Sequence, residues 1–245
     1  SYTNTEIIVI DDGSTDSTPR LLEPYIQEAG IVILTKQNEG LAAARNTGLV
    51  AAKGELIAFC DGDDLWHHNK LLLQIPALME HPELGMIHTA RLAINSAGET
   101  IGRKHKRSDQ LIIPKNPSTR RLVHSNFIVG SSSLIRKSCF DDIGGYNESF
   151  RLSSDHQFYL RLSTRYRFGY LDAELYLYRK HPEQITANRG LREAYKEKVL
   201  LDFEANFPGV IDRKDLNQAY SMIHKTRGND FLKQDRNTSD ARREY

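Results

Sequence analysis

Apolar residues along this chain come in short, dense runs that stop abruptly at acidic or glycine-containing turns. Residues 6–10 (EIIVI) are mostly β-branched and end at Asp11, Asp12 and Gly13, the pattern of a buried strand closed by a polar turn. A helix is predicted next. Ser17 or Thr18 can cap it, Pro19 suits its first turn, and Leu21, Leu22, Tyr25 and Ile26 fall at helical spacing. Residues 31–34 read as a second strand, the alanine-rich stretch 40–52 as a second helix broken by Gly54, and residues 55–60 (ELIAFC) as a third strand closed by Asp61, Gly62, Asp63 and Asp64. This βαβαβ order implies an α/β fold with a mainly parallel central sheet flanked by helices, and such sheets bind ligands beyond the carboxyl ends of their strands. Both aspartate clusters fall there.

Further along the pattern loosens. Residues 85–94 and 111–113 read as strands around a basic run, Arg103, Lys104, His105, Lys106 and Arg107. Residues 127–135 pass through Gly130 and three serines, residues 155–162 read as a helix with a carboxylate near its N-terminus, and residues 170–178 as a final strand. Beyond Ala187, apolar residues fall four apart at Leu191, Tyr195, Val199, Phe203 and Phe207, which predicts an amphipathic helix packed on the domain and ended by Pro208 and Gly209. A second helix is expected over residues 216–225. The organisation is therefore an α/β domain over residues 1–187 with a helical extension over residues 188–245.

Composition narrows the classes. With 39% hydrophobic and 27% charged residues the chain is an ordinary globular sequence. Lysine plus arginine (33) nearly cancels aspartate plus glutamate (32), so there is no general attraction for nucleic acid, and charge-driven chemistry must be local. Cys60 and Cys139 have no CxxC partner; they read as reduced core thiols, which points to a cytoplasmic setting. No apolar run approaches the ~20 residues that span a bilayer. Any membrane association is expected to be peripheral, at the inner face of the cytoplasmic membrane.

The turn Asp61, Gly62, Asp63, Asp64 is the centre of the chemical reading. Two carboxylates one residue apart at a strand terminus can reach a hard cation such as Mg²⁺ or Mn²⁺, which prefers oxygen ligands and keeps positions open for phosphate. An isolated DxD is more often only an acidic turn. Here it follows an apolar run without counter-charge, and Asp11 and Asp12 end another strand of the same predicted sheet.

EIIVIDDGSTDST and NEGLAAARNTGLVAAKGELIAFCDGDDLW, with GGYNESF, SSDHQFYLRL and YRKHPEQIT downstream, resemble inverting family 2 glycosyltransferases of the GT-A fold, with the first two in the nucleotide-binding half. The resemblance implies transfer of a sugar from a nucleotide-diphospho-sugar, such as a UDP-sugar, to an acceptor hydroxyl on a saccharide, a lipid-linked acceptor or another hydroxyl acceptor, in cell-surface polysaccharide or glycan synthesis. It implies that Asp11 or Asp12 contacts the base of the donor, that Arg45 helps hold the nucleotide, that Asp61 contacts ribose or metal, and that Asp63 binds the Mn²⁺ or Mg²⁺. It makes Asp155 the general base; the preceding position, often glutamate in relatives, is Ser154 here. Arg179 is expected at the diphosphate and His181 at the metal or a phosphate, in a segment that closes over the donor. It also implies another strand and helix before Glu6. Trp66 reads as core filling or a donor neighbour, and the basic run as a solvated loop or a contact for an anionic acceptor.

Two other classes compete. A dinucleotide-dependent oxidoreductase would show G-x-G-x-x-G after its first strand, and neither strand-ending turn has it. A noncatalytic nucleotide- or sugar-binding module would keep the acidic turns without a base, which makes Asp155 the discriminating residue.

Overall fold

The computed structural model describes residues 2–101, 107–115, 117–182, 184 and 189–241. Residues 103–106 of the basic run, and Glu183, Ile185 and Thr186 of YRKHPEQIT, lie outside the described residues. The first half runs β1 (Ile7–Asp11), α1 (Thr18–Leu22), a 3-10 turn (Glu23–Tyr25), β2 (Ile31–Thr35), α2 (Leu41–Ala51), β3 (Leu56–Ile57), β4 (Leu65–Trp66) and α3 (Lys70–Met79). The rest runs β5 (Leu84–Ile94), β6 (Leu111–Ile112), α4 (Ser118–His124), a 3-10 turn (Gly130–Ser132), β7 (Leu134–Arg136), α5 (Lys137–Ile143), α6 (Ser154–Ser163), β8 (Arg167–Arg179), α7 (Arg189–Asn206) and α8 (Arg213–Ala241).

This is the expected α/β architecture, with strands at the centre and helices around them. One sheet has the order β3-β7-β5-β8-β4, with β6 on β8; β1 and β2 form a parallel pair of their own. Pairing is mixed. β5 and β8 run parallel from Leu84 to Ile94, whereas β3–β7, β5–β7, β4–β8 and β6–β8 are antiparallel.

Strand alternation separates the core into two layers. Met86 and Ile135 point into a cluster with α4, α5 and α6, while their neighbours Ile87 and Leu134 join Leu78 of α3 on the opposite face. The C-terminal helices share the first cluster through Val199, Leu200, Phe203, Leu216, Ala219 and Ile223. Buried Asp215 fixes α8 to α4 through Arg120 at 2.6 Å. Of the predicted four-apart stripe on α7, Val199 and Phe203 are buried, Tyr195 and Phe207 pack partly, and Leu191 is exposed.

Three local expectations change. The first helix stops after five residues because Pro24 has no N–H to continue it, and Leu21, Tyr25 and Ile26 stay exposed. The third strand keeps only Leu56 and Ile57 of its six predicted residues, held antiparallel by Arg136 and Ile135 and not beside β1. Among the described residues no strand pairs with its other edge, so half of its ladder is missing. Cys139 is buried as expected, but Cys60 is exposed beside the acidic turn and is not a core thiol; both are free. Among the described residues, no helix is long and apolar enough to cross a membrane.

Candidate active site

A cavity of about 480 Å³ opens between β1 and β3. Ile8 and Ile10 form one wall, Leu56, Ile57 and Ala58 the other, Ala44, Arg45 and Gly48 of α2 the floor, and the turn 61–64 the lip. Its size suits a drug-sized or nucleotide ligand, for which pockets of roughly 300–1,000 Å³ are usual.

Arg45 is the buried cation of this site, 7% exposed. Its Nη2 donates to Asp61 Oδ1 at 2.8 Å, and the rings of Phe59 and Tyr146 lie 5.5 and 5.4 Å from its guanidinium carbon. Burial alone would pull its pKa down, but the facing Asp61 carboxylate, with Tyr146 and Asp155 behind it, leaves it raised. Its Nε and the Tyr146 hydroxyl are buried with no hydrogen-bond partner among the described residues, an unspent donor capacity beside the cavity.

Tyr146 reaches this position because the GGYNESF loop docks on α2. Asn46 Oδ1 accepts from Tyr146 N at 2.8 Å and its Nδ2 donates to Tyr146 O at 2.9 Å. Gly145 permits the approach, since a Cβ there would lie 2.5 Å from Asn46 Oδ1.

The acidic turn divides its carboxylates among three tasks. Asp61 faces Arg45, and its N–H donates to Ser131 Oγ at 3.0 Å. Asp64 is buried, accepting from Arg179 N at 2.8 Å and from the Tyr176 hydroxyl; burial pushes its pKa up. Asp63 points outward and meets His181 Nε2 at 3.0 Å. Arg179 spends its guanidinium on main-chain oxygens, Asp63 O at 2.7 Å, Asn95 O at 3.0 Å and Ser96 O at 2.8 Å, so it bolts the end of β8 to the turn.

Asp155 stands in the first turn of α6, after Ser153 in a left-handed conformation (φ 59°). Its Oδ1 accepts from His156 N at 2.8 Å and its half-buried carboxylate also receives Asn126 Nδ2 at 3.2 Å. Asp155 raises the pKa of the buried Tyr159 hydroxyl after burial itself, and acts on Tyr146 and Arg45 as well. One charged cluster thus joins Arg45, Asp61 and Asp155.

Asp11 and Asp12 stand apart from it. Asp11 Oδ1 accepts from Ser14 N at 2.9 Å, and Asp12 clamps the turn before α2 by accepting from Glu39 N at 3.1 Å and Gly40 N at 2.8 Å. Neither lines the cavity, although Ile8 and Ile10 of the same strand do.

The sequence profile described as Glycosyl transferase family 2 matches residues 1–144. The chain belongs to glycosyl transferase family 2. It is 31% identical over 176 residues to an uncharacterized glycosyltransferase of Rickettsia bellii, covering 71% of this chain and 24% of the relative. It is 27% identical over 226 residues to the uncharacterized glycosyltransferase EpsJ of Bacillus subtilis, covering 86% of this chain and 65% of EpsJ. The chain therefore spans about a quarter of the Rickettsia relative. Its fold is similar to S. aureus TarS 1–349 in complex with UDP-GlcNAc, with a TM-score of 0.63 at 17% identity over 89% of this chain and 62% of that one.

Within this family 2 chain the matched region contains Arg45, Asp61 and Asp63, whereas Asp155, Arg179 and His181 lie beyond it. Sequence reading missed Tyr146, Asn126, Ser131 and Tyr176. Tyr146 lay within a recognised motif but carried no individual signal; the other three act through the fold, and no spacing in the sequence points to them.

Proposed function

We propose that the chain is the catalytic part of an inverting, divalent-metal-dependent glycosyltransferase that moves a sugar from a nucleoside-diphosphate sugar to an acceptor hydroxyl. The observation that carries this reading is the cluster itself: Arg45 on the floor and Asp61 at the lip of a nucleotide-sized cavity, with Asp155 outside its lining but in electrostatic reach of Arg45. In this reading the donor lies in the cavity with its base toward the end of β1, where Asp11 and Asp12 stand. Arg45 presents charge and its unspent Nε toward the nucleotide. Arg179 holds the acidic turn in place beneath the diphosphate.

Asp63 and His181 suit a Mn²⁺ or Mg²⁺ ion. They lie in hydrogen-bond contact at 3.0 Å on the outer side of the turn. Asp63 offers the oxygen ligand that such ions prefer, one or two carboxylates with waters and substrate phosphates commonly holding them, and among the described residues no cluster of three ligating side chains is present. Asp61, turned toward Arg45, takes the ribose side of the role foreseen for it. The chemistry contributed by a bound ion would be neutralisation of the departing diphosphate. Asp155 takes the proton from the acceptor hydroxyl as that oxygen attacks the anomeric carbon from the face opposite the leaving group, so configuration inverts and no covalent intermediate forms. The acceptor is a saccharide or a lipid-linked glycan, met at the membrane surface.

The UDP-GlcNAc held by TarS makes a UDP-sugar the first donor to try. Thermal unfolding with UDP should shift upward in Mn²⁺ or Mg²⁺ and not in chelator, by the equivalent of about 2.7 kcal/mol when ligand is a hundredfold above its Kd. An equal shift in chelator would remove the metal, and no shift with any nucleoside diphosphate would remove the reading.

A further inference from the structure

Three side chains spaced four apart, Lys70 and Gln74 buried and Trp66 half-buried, grip three successive carbonyls. Trp66 Nε1 donates to Ser131 O at 3.0 Å, Gln74 Nε2 to Ser132 O at 3.0 Å, and Lys70 Nζ to Ser133 O at 3.2 Å. Lys70 and Gln74 lie one turn apart on α3, and Trp66 enters from β4, so all three reach the same stretch of chain. The gripped stretch is the turn 130–133. It touches both halves of the site: Ser131 Oγ accepts the Asp61 N–H at 3.0 Å, and a Cβ on Gly130 would lie 3.1 Å from Arg45 Nη2. Ser133 Oγ lies 3.3 Å from the hydroxyl of Tyr159, one helical turn after Asp155 on α6.

Lys70 is the costly member. It is 1% exposed, its ammonium stands 4.2 Å over the Trp66 ring, and among the described residues no carboxylate pairs with it. Burying such a cation without an anion is unfavourable, and its bond to the Ser133 carbonyl and its place over the Trp66 ring offset part of that cost.

We propose that the turn 130–133, held through its carbonyls by Trp66, Gln74 and Lys70, sets the Asp61 carboxylate against Arg45, and that Lys70 is a positioning residue for donor binding. The donor-binding half of this inference rests on the function proposed above; the setting of Asp61 does not. Lys70 touches no substrate; it acts through Ser133 and Ser131 on the backbone of Asp61.

The test is Lys70→Met beside Lys70→Gln and the milder Trp66→Phe. Lys70→Met removes a buried charge but leaves the Ser133 carbonyl unpaired, so its unfolding temperature should stay within a few degrees of the parent. Its Asp61 amide should nevertheless exchange with deuterium roughly tenfold faster, the effect of about one hydrogen bond, while amides of β5 and β8 keep parent rates. Its affinity for UDP in Mn²⁺ should fall by roughly 10- to 100-fold, as for other residues that orient a ligand-binding group. Trp66→Phe keeps the ring and loses the donor, and should move exchange and affinity in the same direction. Lys70→Gln restores a donor and should recover part of both. Parent-like Asp61 exchange in Lys70→Met and Trp66→Phe overturns the proposal, as does a rise that only follows global destabilisation. If the parent itself ignores UDP, the function fails and the exchange rates still decide whether Lys70 positions Asp61.

Discussion

Asp61 Oδ1 lies 2.8 Å from Arg45 Nη2, so the first carboxylate of the acidic turn is already neutralised by a buried arginine. The net negative charge offered to a cation at this turn therefore comes from Asp63, because Asp64 is buried against Tyr176 and the Arg179 N–H. Three aspartates that look equivalent in the sequence thus have three different chemical positions.

That division predicts what removing Asp63 does. Asp63→Asn keeps the size of an exposed side chain and should leave the unfolding temperature within the small range of surface changes. UDP should then stabilise the variant to the same small extent with Mn²⁺ and with chelator. A persistent metal-dependent shift would place the ion elsewhere.

Arg45→Met should be costly in a different way. It leaves Asp61 facing a cavity without its donor and removes the charge stacked between Phe59 and Tyr146, a loss of about 2 kcal/mol once the partial exposure of Asp61 is allowed for. Urea unfolding measures the loss, and calorimetry should show UDP affinity reduced with it. Arg45→Lys keeps the charge without the fork and should recover stability only partly. Stability and affinity equal to the parent in Arg45→Met would mean that the pair does no work.

His88 predicts the acid response of the fold. It is buried between Phe127 and Tyr170, and burial, helped by the charge of Arg121, pulls its pKa down to about 4. A base with a folded pKa below the unfolded value of about 6.5 is protonated first in the unfolded chain, so stability falls as pH drops from 6.5 toward 4 and its contribution is constant below that. The loss is of the order of 3 kcal/mol. Urea unfolding at pH 7 and pH 4.5 should show His88→Phe losing less stability than the parent over that interval. Identical pH slopes would mean that His88 titrates normally.

Much of this was legible in the chain because its periodicities are local. The EIIVI run, the alanine-rich helix and the strand through Tyr178 each form where expected; the helix and the last strand bury one face, whereas the EIIVI strand, read as buried, leaves Ile7 exposed and Ile8, Val9 and Ile10 half-buried. The third strand was misjudged because ELIAFC reads as a strand whatever its neighbours are, whereas ladder length depends on partners and only β7 is present among the described residues. The first helix was overextended because the spacing of Tyr25 and Ile26 outweighed Pro24 in the reading, and the missing N–H decided the outcome. At the site, the aspartates were visible because charge after an apolar run is conspicuous. Their separate tasks were not, since Arg45, Tyr176 and His181 reach them from 16, 112 and 118 residues away.

Asp155 is where the enzyme and the binding module part. Its place in the first turn of α6 has a structural use, for its Oδ1 already accepts the His156 N–H and such positions favour a carboxylate whatever the function. The hydrogen bond from Asn126 holds the carboxylate at the edge of the site and leaves it half-buried, open to an incoming hydroxyl. Asn in place of Asp155 preserves size and an acceptor oxygen for both contacts but cannot take a proton. Transfer from a UDP-sugar to an accepting hydroxyl should therefore fall by roughly 10² to 10⁴ in Asp155→Asn, the usual contribution of a positioned base. UDP and Mn²⁺ affinity should stay within about twofold, because Asp155 does not line the cavity. Transfer assays and calorimetry on the same preparations separate the outcomes. Transfer at the parent rate would reduce Asp155 to a helix-terminal residue and move the search for the base to Asp141, Asp142 and Glu148. Binding lost together with transfer would show that the α6 terminus supports the site as structure, and binding without transfer in the parent itself would identify a module that recognises donor without using it.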